Sequence, residues 1–139
     1  MKHNSYPAVS CLSVLLAGIT IASAPPATAD ETGEREYLSA CASCHGVDAN
    51  GTGPMGDFLT IVVPPLNNLS EANGGEFPMQ QVIEAIDGRA DIRGHGSGMP
   101  VWGAVFRDPL AANVTGQSQE FLIRGRILSL AYYLESIQK

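Results

Sequence analysis

Lysine is almost absent, with only Lys2 and Lys139 in 139 residues, and acidic side chains outnumber basic ones 14 to 8. A chain so short of basic surface is a poor partner for nucleic acid or an anionic membrane, both of which recruit Lys and Arg. Cysteine is scarce too, with three in all. A structural zinc site wants four ligands in two spaced pairs, which leaves His95 as the one candidate fourth. No internal repeat is visible, and no constellation of acid, base and nucleophile stands out. Acidic residues are missing altogether before Asp30.

That last absence marks the first segment. Lys2 and His3 open it, an apolar or small run extends from Ala8 to Ala24, and Pro25-Pro26 break the run before Ala27-Thr28-Ala29. A short charged start, an apolar middle and a small-x-small end form the pattern of a cleaved secretory signal over residues 1–29. The run also approaches bilayer-spanning length, so an uncleaved anchor is the competing reading. Its Ser and Thr content and the cleavage pattern favour removal. Cys11 precedes most of the run, against a lipoprotein site, and leaves with the signal. The expected mature domain is residues 30–139, and having lost Lys2 it carries a formal charge of about −7.

What remains holds two cysteines, in Cys41-Ala42-Ser43-Cys44-His45. C-x-x-C-H is the pattern of covalent haem attachment. Residues three apart share a helix face, so both sulfurs can reach one porphyrin edge while His45 falls beneath the iron. A thioredoxin-like dithiol needs a βαβ setting, and the flanking sequence has none. One motif implies one haem c.

A six-coordinate iron needs a second ligand from Met55, Met79, Met99 or His95. Met55 follows His45 by only ten residues, and Met79 opens a short helical pattern in which Val82, Ile83 and Ile86 form the apolar stripe and Gly88 the stop. Met99 lies 54 residues beyond His45, in Gly94-His95-Gly96-Ser97-Gly98-Met99-Pro100. Glycines let backbone lie close to a flat cofactor, and Pro100 keeps the chain extended. Met99 is therefore the favoured ligand, and His95 the rival.

Near the C-terminus Ile123, Ile127, Leu130, Leu134 and Ile137 recur at intervals of four and three, the stripe of an amphipathic helix. Ser118 is its candidate cap, with Glu120 in the first turn. Gly125 inside it costs about 1 kcal/mol, which suits a site where another helix packs closely. Between the two ends, Gly46 to Gly75 is rich in Gly and Pro and has no long periodic pattern.

With these residues in place, the mature chain resembles the class I monohaem cytochromes c, the small soluble bacterial kind. The resemblance implies an all-α fold of three to five short helices wrapped around one haem, with crossing terminal helices. Gly33, Tyr37 and Cys41 match the N-terminal helix of that family, and Leu130 and Tyr133 the crossing residues of the C-terminal one. It also implies a proline carbonyl on the free nitrogen of His45, supplied by Pro64-Pro65-Leu66 or by Gly53-Pro54. The former is preferred, with Pro65 and Leu66 packing on the haem. Trp102 and Arg89 or Arg93 are candidate propionate partners, although Trp102 follows the methionine where mitochondrial members have their tryptophan ahead of it. The lysine ring through which those members dock is missing.

The expected function is one-electron transfer in the periplasm, between a donor dehydrogenase and an acceptor such as an oxidase. The alternative is a dedicated haem subunit of a dehydrogenase oxidising sulfite, an alcohol or an aldehyde. A ligand-binding or peroxidatic haem protein needs an open iron position, and Met99 argues against it. No catalytic residue is expected, the membrane enters only through partners, and the free protein is expected to be a monomer. A methionine ligand raises the potential relative to two histidines. The partner is expected to be basic around an apolar centre, with Asp48, Asp57 and Asp91 the first acids to examine.

Overall fold

In the computed structural model the described residues are 29–89, 98–107, 114 and 116–139, with side chains from Glu31 onward. The expected signal segment, Cys11 within it, and Asp91, Arg93 and His95 lie outside them. Among the described residues six α-helical segments occur, α1 (Ala29–Ala40), α2 (Ala42–His45), α3 (Leu69–Ala72), α4 (Met79–Asp87), α5 (Trp102–Val105) and α6 (Gln117–Ser136), with a 3₁₀ turn at Gly56–Phe58. Three of the six are single turns of four residues, which is why they exceed the three to five expected, and α6 at 20 residues is not short. Among the described residues there is no strand.

The architecture rests on α1 crossing α6. Gly33 is the point of closest approach: a Cβ there would sit 2.7 Å from the Tyr133 Cβ, and nearer still to the Ser129 carbonyl oxygen. One turn on, Tyr37 is fully buried, packs its ring 5.3 Å from that of Tyr133, and donates its hydroxyl to the Gly46 carbonyl at 2.6 Å. Ile123, Ile127, Leu130 and Leu134 of α6 fill the core with it, each such burial stabilising by roughly 1.5–3 kcal/mol. The crossing is clamped at its edge by Glu36 and Arg126, whose two parallel hydrogen bonds are both 2.8 Å, with the Arg126 guanidinium 4.2 Å above the Phe106 ring. Such a fork fixes geometry as well as adding energy.

Two expectations about α6 are corrected. Its first turn is not capped by Ser118: the N-cap is Gly116 at φ 65°, without a side-chain cap, and Ser118 lies inside the helix. Gly125 does not receive a neighbouring helix among the described residues, because a Cβ there would meet none of them within 4 Å. The close approach belongs to Gly33 on the other helix.

The 46–75 stretch is held by its own hydrogen bonds. Gly46 ends α2 at φ 79°, a conformation costly for a residue with a Cβ. Buried Ala49 adopts φ 55° and its carbonyl accepts from the Leu66 and Asn67 amides. The Asn67 side chain returns a bond to Asp48, and Gln138 ties Leu66 and Ser70 to the end of the chain. Helix α4 forms as its pattern predicts, burying Val82 and Ile86 and stopping at left-handed Gly88, whose amide bonds Glu84.

Candidate haem site

Helix α1 does not stop cleanly before the attachment motif. The Cys41 amide still bonds the Tyr37 carbonyl, and the Cys44 and His45 amides both bond the Cys41 carbonyl. The motif therefore rides as one extra turn on α1, with its orientation set by the α1–α6 crossing. Met55 and Gly53 amides bond back to the Ser43 and Cys44 carbonyls, closing the loop over this turn.

His45 is buried, and its Nδ1 lies 3.0 Å from the Pro64 carbonyl oxygen. A carbonyl can only accept, so Nδ1 carries the proton and Nε2 keeps its lone pair. Burial lowers the imidazole pKa, and the bond to Pro64 opposes this only partly, so the ring is neutral and fit to ligate a metal. Of the two candidate proline sources, the 64–66 stretch supplies the acceptor, and the carbonyl is that of Pro64.

Two cavities, of about 300 and about 420 Å³, meet at this turn. Each is in the range of a ligand site. Among the described residues four line both: Cys41, His45, Pro64 and Met99. The first cavity continues along Ala40, Cys44, Leu59, Ile61, Val62 and Trp102, and the second along Pro65, Leu66, Val82, Ile86 and Leu130. Met99 thus shares both walls with His45, whereas Met55 is exposed near the 3₁₀ turn and Met79 begins α4, packed on the core. His95 lies outside the described residues.

Cys41 and Cys44 form no disulfide. Burial, with help from Glu36 and Cys44, pushes Cys41 up to about 12. A reactive cysteine needs a readily formed thiolate, and Cys41 does not offer one. Among the described residues, no three His, Cys, Asp or Glu side chains gather in a metal-holding cluster.

Trp102 lines the first cavity, its ring tilted against that of Phe106 with centroids 5.5 Å apart, and its buried Nε1–H has no partner among the described residues. An orphaned buried donor is uncommon and marks a place where an acceptor is wanted. Arg89 is different. All three guanidinium nitrogens bond carboxylates, to Asp87 and to Glu120 (2.7 and 3.0 Å), joining α4 to α6, and Arg89 lines neither cavity. The expectation that Arg89 serves a propionate is therefore corrected; it is a structural cross-link. Missed at the sequence level was the wall formed by Leu59, Ile61, Val62 and Val63. Its signal was present: Leu59-Thr60-Ile61-Val62-Val63 is the one apolar run inside the Gly- and Pro-rich stretch.

The family model for cytochrome c matches residues 31–106, more than half the chain, from α1 through α5. The chain belongs to the cytochrome c family. No curated protein and no solved structure shows a significant match. Members of the family bind covalently attached haem c and serve haem-based electron transfer. The residues here fit that group: a C-x-x-C-H turn, a neutral buried imidazole, a methionine on the same two walls, apolar linings and a donor in want of an acceptor.

Proposed function

We propose that this cytochrome c is a periplasmic one-electron carrier, exported by a signal cleaved after Ala29, that works between a dehydrogenase donor and an oxidase or similar acceptor. Cys41 and Cys44 would hold haem c covalently, and His45 and Met99 would supply the protein ligands to its iron. The observation that carries this reading is that His45 and Met99 line the same two cavities beside the cysteines. When bound, haem c supplies a one-electron couple, its iron alternating between ferrous and ferric.

The chain's own contributions follow from its residues. Pro64 fixes the His45 ring through Nδ1, which orients Nε2 and raises its basicity as a ligand. Methionine sulfur favours the reduced state and raises the potential over a bis-histidine site. Leu59, Ile61, Leu66, Val82 and Ile86 give the cavities apolar walls that would keep water from a bound haem, which disfavours the extra positive charge of the oxidised state. Trp102 Nε1–H is the donor for a haem carboxylate, since a buried carboxylate needs one. Pro65 and Leu66 pack on the other side of the site.

Docking is electrostatically assisted by the acidic surface, on which Asp48 and Asp57 are exposed. Charge attraction chiefly speeds encounter and is screened within about 8–10 Å at physiological salt. The test is the mass of the chain exported from cells with haem-attachment machinery, followed by its electron-transfer rate with the native partner. One added haem, an N-terminus at Asp30 and a rate that falls as salt rises are expected. A haem-free mature chain, a retained apolar segment, or a rate flat in salt each contradicts the corresponding part.

A further inference from the structure

Helix α6 is apolar on two sides. The inner stripe is the one already described. On the opposite side Phe121, Leu128 and Tyr132 are 64, 40 and 42 % exposed, and together with Gly125 they recur at intervals of four, three and four. That is a heptad seam of three turns, laid on a helix whose core-facing side is already satisfied. At its centre Gly125 leaves an open hole, with nothing within 4 Å of where its Cβ would be.

We propose that this outer stripe of α6 binds a second copy of the same chain, as an antiparallel two-fold pair of α6 helices. The stripe matches itself in that register. A two-fold axis passing between positions 126 and 127 brings Phe121 of one copy opposite Tyr132 of the other. It also brings Leu128 of each copy over Gly125 of the other, a large residue into a hole. Two-fold interfaces require this kind of self-complementarity, and alternating large and small residues let facing layers interdigitate. Charge does not oppose it locally: Arg124, at the edge of the stripe, already has its partner in Glu120 at 2.7 Å. The antiparallel arrangement also sets each helix dipole against the other's opposite end.

The magnitude is modest. The seam offers three apolar side chains and one glycine per copy, against about 20–30 residues a side in a standard interface. A contact this small corresponds to weak association, with a dissociation constant on the order of 1 μM to 1 mM. The association also has a distinctive salt response. Each copy of the proposed mature chain, residues 30–139, carries a formal charge of about −7, so screening weakens mutual repulsion, and the pair tightens as salt rises, opposite to docking on a basic redox partner.

The test uses the haem-loaded exported chain in sedimentation equilibrium across concentration and salt. A monomer–dimer equilibrium that tightens with salt is expected. Gly125→Leu fills the hole and Leu128→Gly removes the knob, and each weakens the pair at least tenfold. The double variant Gly125→Leu/Leu128→Gly exchanges knob and hole on both copies and restores it, with helix composition unchanged. Unaltered haem spectra and far-ultraviolet dichroism establish that each variant is folded. A strictly monomeric wild type up to about 1 mM, or a double variant as weak as the singles, overturns the proposal; the latter result points instead to a different protein on this face.

Discussion

Replacing Gly33 with Ala tests the helix crossing on which the haem site is hung. In a free helix the exchange is favourable by about 0.8–1 kcal/mol. Here the new methyl would be 2.7 Å from the Tyr133 Cβ and 2.8 Å from the Ser129 carbonyl carbon. The Ser129 obstacle is backbone, so no rotamer change relieves it, and α1 and α6 must separate. Overpacking of this kind costs about 1–3 kcal/mol and sometimes more. With the upper value the propensity gain leaves a net loss of about 2 kcal/mol, or roughly 9 °C in Tm for a domain of this size. Gly125→Ala is the internal control: the same exchange on an exposed turn with nothing within 4 Å should gain about 1 kcal/mol. Thermal unfolding of the haem-loaded protein at low micromolar concentration, followed by far-ultraviolet dichroism, reads both. If Gly33→Ala were as stable as the wild type, the crossing would not be as close as described.

Three further outcomes are expected. Trp102→Phe keeps the ring contact with Phe106 but removes the orphaned donor; the haem should stay attached while the midpoint potential falls, and an unchanged potential would remove Trp102 from the site. Arg89, followed by Arg124, holds the Glu120 carboxyl down at about 2, and Arg89 also lowers Asp87. Their contribution is therefore complete above the ordinary carboxylate range near 4.3 and is lost as pH falls toward 2. Arg89→Ala should flatten the loss of stability between about pH 4.5 and 2, and parallel acid curves for variant and wild type would contradict the cross-link. Tyr37→Phe leaves the buried Gly46 carbonyl without its 2.6 Å donor and should cost about 1–3 kcal/mol in denaturant titration, with no loss refuting that bond.

The attachment motif, the α4 helix with its Gly88 stop and the inner stripe of α6 were legible because each is local. A C-x-x-C-H turn or a period of four and three is complete within a few residues. Partners across the fold left no such mark. Arg89 and Glu120 are 31 residues apart and Glu36 and Arg126 are 90 apart, so nothing in the spacing distinguished Arg89 from a haem-facing arginine. Gly125 was misplaced for a related reason. Periodicity identifies the buried side of a helix when the other side is polar, and α6 carries apolar residues on both. The glycine marking the crossing was instead Gly33, among polar neighbours in α1, where only the family resemblance singled it out. Of the two proline-bearing stretches, the one that meets His45 was decided by the Ala49–Leu66 hydrogen bond folding the loop back, which no pattern in the loop announces.

The assignment of Met99 opposite His45 is best tested by the weak near-red sulfur-to-iron absorption band of the oxidised haem protein. The wild type should show it, Met99→Ala should lose it together with part of the midpoint potential, and Met55→Ala and Met79→Ala should both keep it. A wild type without the band, a Met99→Ala variant that retains it, or loss of the low-spin ligand in His95→Ala instead would contradict the account.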